Sequence, residues 1–476
     1  MSFAQTRACT VLGSAAVPVE VEASITSGLP CITIIGLRGS EAIETRERVK
    51  CGLASLGISM SDLRRTVVSI APADLPKSGA ALDLPIAIAI LAALGRVPAE
   101  RVRNLASHGE LGLDGSLRAA DGVVASAFAA VRSGATEFVV STGNAGRAAL
   151  APLTVSAAAT LREVVEHLIG RCLLEPASPD QLAQGVVREP DLNLADVRAQ
   201  QAGVEALLVA AAGGHNLLLF GTPGCGKTML AQRLPSILPP LDATTALEVA
   251  TIHDAAGLRE RELDARPPFR APHHTVSQQA LVGGGGLRPL VGEVTLAHRG
   301  VLFLDELPEF RPSAIDALRQ PLEEHEVRIR RAGWIARYPC RTQVVAAMNL
   351  CRCGRTGATS GASCTCSDRS RSTYLERVSG AIIDRFDIRV RMRLSGSIME
   401  SDATIDSAKA ARRVSIARDR QHERWDGALN GEVTRTLDRR MELQPDARNR
   451  IERLTGRADG GRTQRAVVRV ARTVAD

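Results

Sequence analysis

Asn216 to Met229 reads NLLLFGTPGCGKTM. The apolar run Leu217, Leu218, Leu219 and Phe220 is the signature of a strand buried on both faces of a parallel sheet. GTPGCGKT, Gly221 to Thr228, follows it, and MLAQRL then has the texture of a helix. Glycine lets a backbone wrap closely round a triphosphate with its N–H groups inward, and a helix N-terminus adds partial positive charge. The expected cradle is therefore Gly221, Thr222, Pro223, Gly224, Cys225, Gly226, Lys227, Thr228 and Met229, with Lys227 on the outer phosphates. The Thr228 hydroxyl is the expected ligand of Mg2+. The stretch reads as an ATP site.

Such a site needs a second strand ending in acids. VLFLDE, Val301 to Glu306, has four apolar residues and then Asp305 and Glu306. At the C-terminal end of a parallel strand Asp305 can hold magnesium and Glu306 can polarise the attacking water. A third apolar run, Thr342 to Met348, ends at Asn349, which can orient that water or sense the outer phosphate.

With 476 residues the chain is too long for one ordinary domain, and two or three are expected. Its 45% hydrophobic and 23% charged content is that of a globular protein. No stretch approaches the ~20 apolar residues of a membrane span. The nearest, Ala80 to Leu94, is broken by Asp83 and Pro85. MSFAQTRACT at the N-terminus has no apolar signal region, so a cytoplasmic location is expected. Ten cysteines then read as thiols or metal ligands rather than disulfides. Arg352 to Asp476 holds 26 basic and 17 acidic residues, and the remainder 33 and 35. A basic C-terminal quarter makes nucleic acid the first candidate partner; arginine-rich chains from GC-rich genomes carry the same excess with no partner at all.

Residues 1–172 read as one α+β domain. Val17–Ile25, Cys31–Ile35 and Glu137–Val140 have strand patterns, and Ser40–Leu56, Leu84–Leu94 and Gly122–Arg132 have helical ones. No catalytic triad or metal cluster stands out there. Residues 173–195, with three prolines and no sustained period, read as a linker. Asp196 to Gly214 reads as a helix stopped by its double glycine, just before the phosphate-loop strand.

EVRIRRAGWIARYPCRT, Glu326 to Thr342, alternates, turns at Ala332-Gly333 and resumes, so a hairpin is expected. Arg328, Arg330, Arg331 and Arg337 with Trp334 and Tyr338 suit contact with a nucleic-acid backbone and its bases; a solvated hairpin is the alternative. Cys351, Cys353, Cys364 and Cys366, spaced CxC–x10–CxC, offer four thiolates to Zn2+ on a Gly/Ser/Thr-rich loop. CxC is tighter than the usual CxxC knuckle, and four unmetallated thiols are the alternative.

Five further segments carry a family resemblance: APADLPKSGAALDLPIAIAIL (Ala71–Leu91), HGELGLDGSLR (His108–Arg118), RPPFRAPHHTVSQQALVGGG (Arg266–Gly285), GEVTLAHRGVLFLDELPEF (Gly292–Phe310) and GAIIDRFDIRV (Gly380–Val390). Over nearly its whole length the chain resembles the ComM/YifB family, magnesium-chelatase-like AAA+ ATPases. The resemblance implies an α/β fold: a P-loop AAA+ core with a parallel sheet over 196–395, preceded by an α+β Lon-like domain and followed by a small helical lid over 396–476. In Lon-type domains a serine–lysine dyad cuts peptides. Matching places Ala81 and Val124 at those positions, and neither can act as nucleophile or base, so the shape is expected without the chemistry. Ser78 beside them reads as a turn residue. The resemblance further implies an arginine finger at Arg385, with Arg377 as the alternative, and a sensor-2 arginine at Arg465 in TQRAVVRVARTVAD. It places Arg266–Gly285 in an insertion facing a ring's pore, where His273 and His274 pack rather than bind metal. Leu350 stands where the family usually has proline, and the family usually carries further helical residues after the position of Asp476. The implied function is a homo-oligomeric, hexameric ring that hydrolyses ATP and drives branch migration of DNA during recombination and natural transformation. The alternative is a chelatase-type ATPase that remodels a protein partner for metal insertion.

Overall fold

The computed structural model describes residues 2–77, 79–179, 192–258, 264–285, 290–331, 334–357, 363–393, 405–433, 444–455 and 461–476. Ser78, most of the expected linker and the hairpin turn at Ala332-Gly333 lie outside them. Among the described residues no helix is long and apolar enough to cross a membrane.

The N-terminal region is built on a long hairpin, Ser2–Leu12 against Ala15–Thr26, paired from Ser2↔Ile25 to Leu12↔Ala15. Gly13 turns it with φ +75°, a conformation in which a side chain is strained. The hairpin lies in a seven-stranded mixed sheet ordered Cys31–Ile35, Arg65–Ala71, Ala15–Thr26, Ser2–Leu12, Leu105–His108, Glu137–Ser141, Thr154–Ala158. Against the hairpin packs the helix Asp83–Ala93, DLPIAIAILAA, all of whose residues are buried. A helix apolar all round has no solvent face, which is why its sequence shows no amphipathic period. Its single charge, Asp83, is paired with Arg48 of the helix Gly39–Ser55 at 2.5 Å. Burial pushes the Asp83 carboxyl up to about 6, against the pull of the Arg48 hydrogen bond.

The second region holds a five-stranded, fully parallel sheet ordered Phe269–Arg270, Val301–Leu304, Gln343–Met348, Leu217–Gly221, Ile388–Met392. Period-two alternation divides its side chains between two cores. Leu217, Leu219, Val301, Phe303, Val345 and Ala347 face one, and Leu218, Leu302, Leu304, Val344 and Ala346 face the other. Both faces are covered, so the strands read as unbroken apolar runs. The register places Phe220 beside Met348 and Leu304 beside Ala346, so these three strands end within about two residues of one another.

The helix before the phosphate loop is shorter than its sequence suggests. A 3-10 turn spans Leu194–Asp196, Ala199 takes φ +56°, and the helix proper is Gln201–Gly213. Gly214 caps it in the left-handed conformation, and a Cβ on Gly213 would meet His215 Nε2 at 2.3 Å. Onto this helix packs Ser407–Trp425, where Arg418 donates twice to the Ala211 carbonyl and Gln421 donates to that of Ala212. Those are carbonyls the last helical turn leaves without intrahelical partners. Pro445–Thr455 and Gly461–Ala475 complete the described part of the helical C-terminal region.

The two halves touch through buried polar groups. Asp254, at the end of the helix Ala243–Ala255 of the second region, accepts from the Val124 amide at 3.0 Å and lies 3.4 Å from Arg147 Nη1. It thereby caps the N-terminal helix Val123–Arg132. Val124 and Ala81, the residues that the expected Lon-type matching sets at the lysine and serine positions, are both buried. Neither position presents a reactive group.

Candidate nucleotide site

Because the strands are parallel and end close together, everything that follows their last residues gathers at one edge of the sheet. Leu217–Gly221 runs into the glycine loop, where Gly224 and Gly226 adopt φ +76° and +84°, and Gly226 opens the helix Lys227–Gln232. Those two angles give the glycines of the motif their structural reason. Cys225 is buried, so it can offer a ligand its backbone N–H but not its thiol, whereas Met229 is exposed.

Thr228 Oγ1 donates to Asp305 Oδ2 at 2.7 Å. A hydroxyl and a carboxylate side by side form the hard oxygen pair that suits Mg2+. Bound there, the metal would supply positive charge to a triphosphate's outer oxygens, and Thr228 and Asp305 would hold it. Lys227 Nζ donates to the carbonyls of Gly221 at 3.0 Å and Thr222 at 2.9 Å, and to Asn349 Oδ1 at 3.1 Å. Its three donors are thus spent on the loop and on the neighbouring strand end. Lys227, Thr228, Asp305 and Asn349 are brought together as the sequence leads one to expect.

Glu306 follows with φ +53°, its N–H on Asp305 Oδ1 at 2.9 Å. Its carboxylate faces His274 Nδ1 at 3.2 Å. The His274 ring packs on His273, centroids 4.0 Å apart, and edge-on to Phe310. The His-His pair of the insertion therefore reaches the acidic strand end, a contact no spacing in the sequence reveals. The only available signal was that His274 closely follows the short strand Phe269–Arg270, which pairs with Val301–Leu304.

Arg385 and Arg465 are not part of this cluster. Both line a cavity of about 660 Å³ at the other edge of the sheet, among residues that precede the strands: Asn216, Pro267, Gly300, Thr342 and Asp387. Arg385 pairs with Glu323, not with Asp384 or Asp387. Within one chain neither arginine can touch a nucleotide in the glycine loop. Arg377, the other candidate finger, pairs with Glu309 at 3.2 Å just beyond its own chain's acidic strand end.

The four cysteine sulfurs of Cys351, Cys353, Cys364 and Cys366 lie within 4.8 Å of one another. Thr356 donates its hydroxyl to Cys364 Sγ at 3.1 Å, and that bond draws the Cys364 thiol down to about 6. This loop leans on the phosphate loop: a Cβ on Gly354 would sit 2.5 Å from Pro223 Cγ. The hairpin, Glu326–Arg331 with Trp334–Pro339, sets Arg328 opposite Arg337. Arg328 is neutralised by Glu326 and Glu324, and Tyr338 is buried in the core, so Tyr338 is not available for base stacking.

A lysine loop, a paired hydroxyl and carboxylate, and a polar strand end at one edge of a five-stranded parallel sheet define a P-loop ATPase of the AAA+ class. The description "Magnesium chelatase, subunit ChlI" matches residues 193–399, "Subunit ChlI of Mg-chelatase" residues 21–144, and "Magnesium chelatase, subunit ChlI C-terminal" residues 404–476. The chain is 37% identical to the competence protein ComM of Haemophilus influenzae, covering 100% of this chain and 94% of that one. It is 38% identical to YifB of Salmonella typhimurium over the same shares. Lon protease 2 of Bacillus subtilis is 31% identical over 150 residues, 28% of this chain and 25% of that protein. The chain belongs to the ComM/YifB family of magnesium-chelatase-like AAA+ ATPases. Membership implies ATP and Mg2+ as cofactors and assembly into oligomers.

Proposed function

We propose that this chain is the subunit of a hexameric ring motor that spends ATP on DNA, a ComM-like helicase promoting branch migration in recombination and natural transformation. Lys227 and the glycine-loop amides bind the triphosphate, Thr228 and Asp305 hold magnesium, Glu306 activates water and Asn349 orients it. Arg385 and Arg465 serve the neighbouring subunit's site. The observation carrying this reading is the convergence of three strand ends, joined by the 2.7 Å Thr228–Asp305 bond and the 3.1 Å Lys227–Asn349 bond. The likeness to a competence protein and the basic C-terminal quarter support DNA as the track. The test is the ATPase rate with and without a synthetic four-way junction. A several-fold, salt-sensitive stimulation is expected. A rate indifferent to every DNA form would remove the DNA role and leave the ATPase.

The ChlI descriptions favour a second reading, an ATPase that remodels a protein partner for metal insertion. That enzyme would respond to its partner subunit and not to the junction.

The cysteine cluster is read as a Zn2+ site. Four sulfurs within 4.8 Å suit tetrahedral thiolate ligation, and the ion would brace the loop resting on Pro223. Metal analysis of anaerobically purified protein should find about one zinc per chain. Less than a tenth of that amount would leave four free thiols.

A further inference from the structure

Glu323 lies where the segment bearing Arg385 meets the helix Gly461–Ala475. Its Oε1 accepts from Nη2 of Arg385 and, at 2.5 Å, from Nη2 of Arg462. One carboxylate oxygen therefore serves two guanidiniums from distant parts of the chain. The two ends of that bridge are unlike. Arg462 is half exposed, whereas the Arg385 side chain is 11% exposed. Arg385 Nε and Nη1 are buried with no hydrogen-bond partner among the described residues. A guanidinium has five donors in a fixed fork, and leaving buried ones unmade is costly. Arg385 is thus short of acceptors in the free chain, and it borders an open cavity.

The same helix is tied to the same segment a second time. Arg469 pairs with Asp387 at 2.6 Å, Asp387 with His215 at 3.0 Å, and His215 Nε2 meets Thr473 Oγ1 at 2.9 Å. That second tie is closed: Asp387, 10% exposed, is shared between the buried His215 and the largely covered Arg469. The tie at Glu323 is open to solvent on the carboxylate side, Glu323 being 47% exposed. Of the two, only the Glu323 contact can be surrendered without stranding a carboxylate out of water.

We propose that Glu323 is a positioning residue that parks Arg385 in the unassembled subunit and yields it to the neighbour's nucleotide phosphates on ring closure. A triphosphate oxygen is an acceptor of the same geometry and greater charge, so it can displace the carboxylate and also reach the unspent donors. Arg462 then keeps Glu323 occupied, which makes release of Arg385 depend on the seating of the C-terminal helix. This rests on the reading of Arg385 as a finger acting in trans.

Glu323→Gln preserves shape and removes the charge. It should raise the ATPase rate at subsaturating protein concentration by about two- to fivefold, the range expected for a half-exposed ion pair, and lower the concentration at which the rate is half-maximal. Arg462→Gln leaves the carboxylate entirely to Arg385 and should move both quantities the other way. The double variant should behave as Glu323→Gln alone, because Arg462 acts through Glu323. An unchanged or reduced rate in Glu323→Gln overturns the parking role, as does a double variant that follows Arg462→Gln. Both outcomes leave the trans finger standing, because that reading fails separately, if Arg385→Ala turns over normally.

Discussion

Glu306→Gln should bind ATP about as well as the unaltered chain and hydrolyse it about 10²–10⁴-fold more slowly, the usual loss when a general base is removed. The carboxylate projects from the end of the acidic strand at a left-handed residue, with its N–H tied to Asp305. Glutamine keeps the shape and the strand end, and it cannot take a proton from water. Because Lys227, Thr228 and Asp305 are untouched, the triphosphate grip survives. Lys227→Ala is the complementary case. It removes the donor that otherwise serves Gly221, Thr222 and Asn349, and should lose nucleotide binding together with hydrolysis. Equilibrium binding of a fluorescent ATP analogue beside a phosphate-release assay separates the two. Turnover retained in both variants would mean the chemistry happens elsewhere.

Arg385→Ala should cost about 10³-fold or more in kcat with little change in nucleotide affinity, the scale of an arginine finger. The reason is positional. Arg385 lies at the edge of the sheet where strands begin, and the glycine loop lies at the edge where they end. As the proposed finger, it would act on a nucleotide held by another subunit. Mixing gives a decisive assay: chains with Lys227→Ala and chains with Arg385→Ala are each expected to be inactive alone. Combined, they juxtapose an intact loop with an intact finger and should recover turnover. A mixture as inactive as its components would place the finger in cis or at another residue, with Arg377 the next to test.

The nucleotide cluster was legible because its chemistry is written in contiguous runs. GTPGCGKT and VLFLDE each carry strand, turn and functional group within a few residues, and parallel register does the rest. Strands Ser2–Leu12 and Arg65–Ala71 were harder to see, since SFAQTRACTVL and RTVVSIA place polar residues at partly buried positions of a mixed sheet. The helix Asp83–Ala93 was visible as an apolar block and silent about its partners, because burial on every side erases the period that names a face. Contacts between distant residues left no trace at all. His274 against Glu306, Glu323 against Arg385 and Gly354 against Pro223 join segments whose spacing follows no local rule. Arg465 is the instructive case: its helix followed from the resemblance, but the edge of the sheet it lines follows only from how Gly461–Ala475 docks on Gln201–Gly213 and on His215 through Thr473.

Asp254 bears on how the two halves of the molecule are held together. An ATPase-half carboxylate seated on the first turn of Val123–Arg132 couples the N-terminal sheet to the helix Ala243–Ala255. That helix start is a point of attachment between the two halves, made through the Val124 amide. A carboxylate this deeply buried would be left unsatisfied if it gave up the Val124 amide and Arg147, so parting the two halves at this joint carries a desolvation cost.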